Sequence, residues 1–183
     1  VKPKQAYKKS KTGNYDLCQT PPYALEPLIR PMKVAKFHRV WEPAAGEGLL
    51  VGELINKGFD VTQSDILDGK EFDFFKYVPS SAWDCIVTNP PYSMKYDWIK
   101  RCYFLGKPWA MLMPVETLGA AAAQFQFDTF GIQVIFVSPR IDFKMPDAGW
   151  SGKGAQFPTA WFCWGFDLPK DISFARLNKV KYD

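Results

Sequence analysis

The chain has 183 residues, 47% of them hydrophobic and 16% aromatic, enough to fill the core of one domain and too few for two of ordinary size. No window holds the eighteen or so uninterrupted apolar residues of a membrane span, and nothing apolar follows the lysine-rich start, so the composition predicts a soluble, cytoplasmic protein with no membrane partner. The formal charge of +4 is more than supplied by Lys2, Lys4, Lys8, Lys9 and Lys11, which leaves the remainder at roughly −1.

Residues 1 to 12 therefore read as a basic flexible tail and residues 13 to 183 as one domain. Such a tail either draws in phosphates by long-range attraction or is simply solvated. Cys18, Cys85, Cys102 and Cys163 lack the close spacing of zinc or redox motifs and read as buried small hydrophobes. His38 is the single histidine, so the sequence predicts no metal site and no histidine acid-base chemistry.

Short β-rich runs then alternate with helical patterns, the signature of a parallel sheet covered on both faces. "RVWEP" (39 to 43) is the first strand, and Leu50, Val51, Leu54 and Ile55 form the apolar stripe of a helix over 46 to 57, ended by Gly58. "FDVTQSD" (59 to 65) is the second strand, a short third run lies at 72 to 75, and "WDCIVTN" (83 to 89) is the fourth. Helices are expected over 95 to 105 and 115 to 130, on either side of the strand "WAMLMP" (109 to 114). The last two strands, "IQVIFVS" (132 to 138) and "TAWFCWGF" (159 to 166), have no helix between them and should pair antiparallel. Seven strands result, the odd one expected at an edge.

"EPAAGEG" (42 to 48) joins a strand to a helix, where an open parallel sheet binds its ligand. Gly46 and Gly48 permit close approach of backbone, and the helix-start amides can face an anionic group, although a merely tight turn reads the same way. The third glycine of the nicotinamide fingerprint is replaced by Val51. Asp65, 19 positions after Gly46, stands where a carboxylate can bond a ribose diol, which favours an adenosine-containing ligand.

"TNPPYS" (88 to 93) ends the fourth strand, since prolines cannot continue a sheet ladder. With "EPAAGEG" upstream, "QTPPYALEPL" (19 to 28) and "DFF" (73 to 75), this "NPPY" resembles the S-adenosylmethionine-dependent amino-methyltransferases, above all the DNA adenine-N6 methyltransferases. The ending "TAWFCWGF" is similar to the last strand of small phage-type members.

The resemblance implies a Rossmann-like class I methyltransferase fold, α/β, with a seven-stranded, mostly parallel sheet and an antiparallel last strand. It implies S-adenosylmethionine as cofactor. Glu42 and Gly46, with Pro43 and Ala44 in the same turn, would contact its methionine part, Thr20 and Pro21 would line that end, and Asp65 would hold its ribose. Asp73 would accept from its adenine amino group, with Phe74 on the ring; alternatively Phe74 and Phe75 are core and Asp73 caps a turn.

The catalytic group implied is Asn89, Pro90, Pro91 and Tyr92. An exocyclic amine on adenine is a poor nucleophile because its lone pair is delocalised into the ring. If the Asn89 side-chain carbonyl and the Pro90 backbone carbonyl accept both amino protons, the lone pair is freed, and the same dipoles stabilise the charge that grows on nitrogen. The proline pair makes this array rigid, and Tyr92 can stack on the target ring.

No room remains for a separate target-recognition domain. Only "KMPDAGWSGKGAQFP" (144 to 158) is long and irregular; Lys144, Lys153 and Trp150 there can contact phosphate and base, or the segment is an ordinary hairpin loop. The expected partner is nucleic acid, DNA in preference to RNA, with a second subunit as one source of selectivity. The competing functions are transfer to RNA, transfer to a protein glutamine amide, and a non-catalytic binding subunit.

Overall fold

The computed structural model describes residues 15 to 146, 149 to 152 and 154 to 180. The basic tail and Lys153 lie outside the described residues. In chain order the regular elements are α1 (Glu26–Val34), β1 (Arg39–Glu42), α2 (Leu49–Asn56), β2 (Asp60–Gln63), β3 (Cys85–Thr88), α3 (Lys95–Leu105), β4 (Trp109–Pro114), α4 (Ala121–Phe130), β5 (Gln133–Ser138), β6 (Lys144–Met145), β7 (Gly149–Trp150), β8 (Thr159–Trp164) and β9 (Ile172–Arg176). Seven strands form one sheet in the order β2-β1-β3-β4-β8-β5-β9, and β6 with β7 makes a separate hairpin.

Side chains alternate across a strand, so each central strand feeds two cores. Val40, Cys85, Val87, Ala110, Leu112, Trp161 and Cys163 pack beneath α1 and α2, while Trp41, Ile86, Met111, Met113, Ala160 and Phe162 pack against α3 and α4. All six residues of β4 are buried, as befits a strand covered on both faces. Trp161 ties the chain start to the sheet, because its indole N–H donates to the Ala24 carbonyl at 2.8 Å in a fully buried contact. Among the described residues no helix is long and apolar enough to cross a membrane.

The expected antiparallel pairing of the last two long strands is present, between β5 and β8. The odd strand is not at an edge, however: β8 lies between β4 and β5, antiparallel to both, and its apolar composition suits that interior position. The run at 72 to 75 is not a strand. Lys70–Phe72 is a 3-10 turn, and Phe74 is drawn into the core, stacked on Trp98 with ring centroids 4.0 Å apart.

The seventh strand is instead β9, which pairs parallel with β5. Its apolar residues Ile172 and Phe174 face solvent, at 53% and 82% exposure, so it carries no burial signal. The helix expected over 115 to 130 is interrupted at Ala120, which is extended; a 3-10 turn, Val115–Gly119, precedes α4. Likewise α2 begins only at Leu49, because Gly46 and Gly48 both adopt left-handed backbone at φ +53° and +80°.

Replacing Trp161 by Phe keeps an aromatic ring but removes the indole N–H, together with part of the buried volume, and so leaves the Ala24 carbonyl without its donor. Urea unfolding should show a loss of about 1–3 kcal/mol, and a change below about 0.5 kcal/mol would remove this contact from the fold's supports.

Candidate functional site

Strands β1, β2, β3 and β4 run parallel, so their carboxyl ends share one rim of the sheet. From β1 the chain passes outward to β2 and then returns to β3 on the other flank of β1. That reversal opens a crevice between the ends of β1 and β3. Glu42 at the end of β1, Asp65 just past β2 and Asn89 just past β3 stand around it.

The two carboxylates are treated differently. Asp65 is 5% exposed and has both oxygens engaged: Gly46 N–H donates to Oδ2 at 2.9 Å and Leu67 N–H to Oδ1 at 2.8 Å. Glu42 is fully buried; Ala44 N–H donates to its Oε1 at 2.9 Å, and Oε2 has no hydrogen-bond partner. Burial pushes the Glu42 carboxyl up to about 8, against the opposing pull of the Thr88 hydroxyl and the Ala44 amide. Thr88 faces it from the end of β3, yet its Oγ1 also lacks a bond of ordinary geometry.

The glycine turn itself uses its amides internally. Glu47 N–H donates to Gln19 Oε1 at 2.9 Å and Gly48 N–H to the Ala45 carbonyl at 2.8 Å, beside the Ala44 and Gly46 bonds already given. The amides of Ala44, Gly46, Glu47 and Gly48 thus all have acceptors within the chain.

A cleft of about 220 Å³ adjoins the turn. Pro43 and Ala44 form one wall, Asp65 and Ile66 another, Asp73, Phe74 and Phe75 a third, and Pro91, Met94 and Trp98 close it. Asp73 Oδ1 accepts from Phe75 N–H at 3.1 Å, so it also caps its turn. Phe74 is 3% exposed, with its face against Trp98; it is core and cleft wall together.

A second, smaller cavity of about 20 Å³ lies at the other end of the turn, among Cys18, Gln19, Thr20, Ala44, Ala45, Leu50 and Asn89. Thr20 Oγ1 and Asn89 Oδ1 are both buried here without partners, and Asn89 Nδ2 faces Cys18 Sγ at 4.0 Å. Pro21, at the start of the following 3-10 turn, is buried.

Pro90 and Pro91 are buried beside Asn89. Tyr92 is 8% exposed, with its ring edge on Phe157 at a centroid distance of 5.8 Å. Its hydroxyl has no hydrogen-bond partner, and burial holds the phenol well above its ordinary range.

Lys144 and Trp150 sit opposite each other in the β6–β7 hairpin, away from the cleft walls. Lys144 pairs with Glu47 at 2.5 Å, and its backbone bonds Gln19 in both directions at 2.9 and 3.0 Å. The hairpin is thus anchored to the glycine turn. Sequence reasoning assigned no role to Gln19, Thr88, Ile66, Met94 or Trp98. Met94, just before α3, and Trp98, in its first turns, are four apart, the spacing of a shared helix face and the one available signal.

No protein-family model and no curated protein sequence matches the chain. Solved structures do. A candidate class I S-adenosylmethionine-dependent methyltransferase from Listeria monocytogenes aligns over 91% of this chain and 68% of its own, with a TM-score of 0.58 and 14% identity. A candidate RNA methyltransferase from Pyrococcus horikoshii aligns over 85% of this chain and 90% of its own, with a TM-score of 0.55 and 13% identity. The chain has the class I methyltransferase fold. At this identity the likeness is one of fold, and within this fold the crevice lies at the reversal of strand order.

The Glu42 carboxyl holds its proton more tightly folded, at about 8, than at its ordinary value of 4.5. A group raised on folding favours the native state while protonated, so stability should decline as pH rises through the interval between those two values. Denaturant unfolding at about pH 6 and about pH 8.5, on either side of that upper value, should show the decline in the native chain and a flatter profile in Glu42→Gln. Equal slopes in the two proteins would remove Glu42 as its source.

Proposed function

We propose that the chain is an S-adenosylmethionine-dependent methyltransferase that acts on the exocyclic N6 amine of adenine in DNA. The observation that carries this reading is Asn89, at the end of β3 in the switch-point crevice, with a buried Oδ1 that has no donor and a rigid Pro90-Pro91 pair beside it. A buried acceptor left open costs free energy in the ligand-free protein. An incoming amine relieves that cost.

The residues present fit an adenosyl amino acid. The larger cleft is apolar and aromatic along Phe74, Phe75, Met94 and Trp98, with Asp65 and Asp73 placed at its wall for a diol and an amino group. The unpartnered hydroxyls of Thr20 and Thr88 can accept from a ligand end that donates hydrogen bonds, as can Glu42 once a cationic ligand end has displaced its proton. Bound there, the cofactor would supply an electrophilic methyl group on a sulfonium.

The chain's own contribution is orientation and electrostatics. Asn89 Oδ1 and the Pro90 carbonyl accept the two amino protons, which releases the nitrogen lone pair and stabilises its growing positive charge. Tyr92 stays a neutral phenol, because burial raises it, and it serves as an aromatic surface instead of a base. The amine proton leaves to water after transfer, and no histidine is required.

Incubation with methyl-labelled cofactor and separate pools of DNA, RNA and protein, followed by nucleoside and amino-acid analysis, tests the proposal. The expected product is N6-methyldeoxyadenosine. Label on RNA adenine or on a glutamine amide would replace the substrate, and label in no pool would overturn the reading. Asn89→Ala should reduce transfer by about a hundredfold or more while cofactor affinity, measured by calorimetry, stays within about threefold. Retained turnover would refute the role of Asn89.

A further inference from the structure

Gln19 occupies a position that nothing above requires of a bystander. A Cβ added to Gly46 would lie 2.5 Å from Gln19 Oε1 and 2.6 Å from its Nε2, so the carboxamide rests directly on the open face of the glycine. Its oxygen accepts from Glu47 N–H at 2.9 Å, and its nitrogen donates to the Leu17 carbonyl at 3.3 Å. Glu47 lies two residues before α2, so this oxygen sits at a helix approach, where an anionic oxygen is favoured.

The cavity beneath is about 20 Å³, room for about one water molecule and not for an amino-acid head group. It is nevertheless ringed by ligand-seeking atoms: Thr20, 4% exposed, turns a buried unpartnered hydroxyl into it, as Asn89 does its Oδ1. Most of the remaining lining comes from short or rigid parts, Ala44 and Ala45 in the turn and Leu50 in α2. Gln19 differs. Its backbone is pinned by the two bonds to Lys144, but its side chain is partly exposed and held by two hydrogen bonds, so a change of rotamer empties the space without moving the backbone.

We propose that the Gln19 carboxamide is an internal stand-in for the carboxylate of the ligand's amino-acid part, and that this carboxylate displaces it and takes over the Glu47 N–H. The inference rests on the proposed cofactor. Gln19 then lowers apparent affinity, since only the fraction of molecules with the side chain turned out is competent to bind. Its effect is confined to ligands that carry the amino-acid part.

The test compares S-adenosylhomocysteine with 5′-methylthioadenosine, which keeps the nucleoside and lacks the amino-acid part, by calorimetry on the full chain. Gln19→Ala should tighten S-adenosylhomocysteine by about 3- to 10-fold and leave methylthioadenosine unchanged. Gln19→Glu, which retains the acceptor and adds a negative charge, should weaken S-adenosylhomocysteine alone. Melting curves confirm that both variants fold. No change for either ligand, an equal change for both, or weaker S-adenosylhomocysteine binding in Gln19→Ala overturns the inference while the cofactor assignment stands. Failure of the unsubstituted protein to bind either compound overturns both.

Discussion

At the end of β1 a carboxyl group is taken fully out of water, and only one of its oxygens is given a donor. Such a group is costly when charged, and the crevice answers by keeping the Glu42 proton in place up to about 8. Asp65, one strand over, is nearly as buried but is bonded on both oxygens by the amides of Gly46 and Leu67. The two acids divide the labour. Asp65 shapes the glycine turn from outside, whereas Glu42 leaves one oxygen unpaired near Thr88 across the strand ends.

That division depends on the sheet. Parallel β1, β2 and β3 bring three strand ends to one rim, and the reversal between β1 and β3 keeps the rim open. The antiparallel insertion of β8 between β4 and β5 lets a single hydrophobic strand complete the interior without a crossover helix. The segment before it forms the β6–β7 hairpin, which bonds Gln19 and Glu47, and reaches Tyr92 through Phe157.

Much of this was legible from residues. The alternation of Val40 with Trp41, or of Ala110 with Met111, announces two-faced burial, and the prolines after Asn89 mark where β3 must stop. Legibility ended where a residue's partner is distant in sequence. Phe74 reads as strand by composition, but its stacking on Trp98 is decided by α3. β9 hides because its large residues face solvent. The glycine turn shows the same limit: its spacing foretold a ligand crevice, but the acceptors that occupy its amides, Gln19 and Asp65, lie 28 and 19 residues away. α1 was missed for a local reason, since Pro27 and Pro31 deter a helical reading although the first of them sits in the initial turn, where proline is tolerated.

One acid, Asp142, gathers the backbone around the β6–β7 hairpin. Burial pulls the Asp142 carboxyl upward, but the Ser151 hydroxyl, the amides of Gly152 and Gly154 and the charge of Lys179 together keep it below the ordinary range. Ser151 Oγ lies 2.5 Å from Oδ1 and Gly152 N 2.7 Å from Oδ2, while Asp142's own amide donates to Tyr23 Oη at 2.9 Å. Since the group is depressed on folding, its contribution is present above the ordinary carboxylate range and is lost only as pH falls well into acid. Across neutral pH the carboxylate therefore keeps its bonds to Ser151, Gly152 and Gly154, while the Asp142 amide joins the same loop to Tyr23, in the "QTPPY" stretch that supplies Gln19 and Thr20. On the reading proposed above, a flat substrate at Tyr92 would meet Phe157 at its ring edge, and an amino-acid head group at Thr20 would meet Gln19. Lys144, whose backbone bonds Gln19 and whose ammonium bonds Glu47, ties the hairpin to the glycine turn, a connection between two distant stretches that neither motif reveals alone.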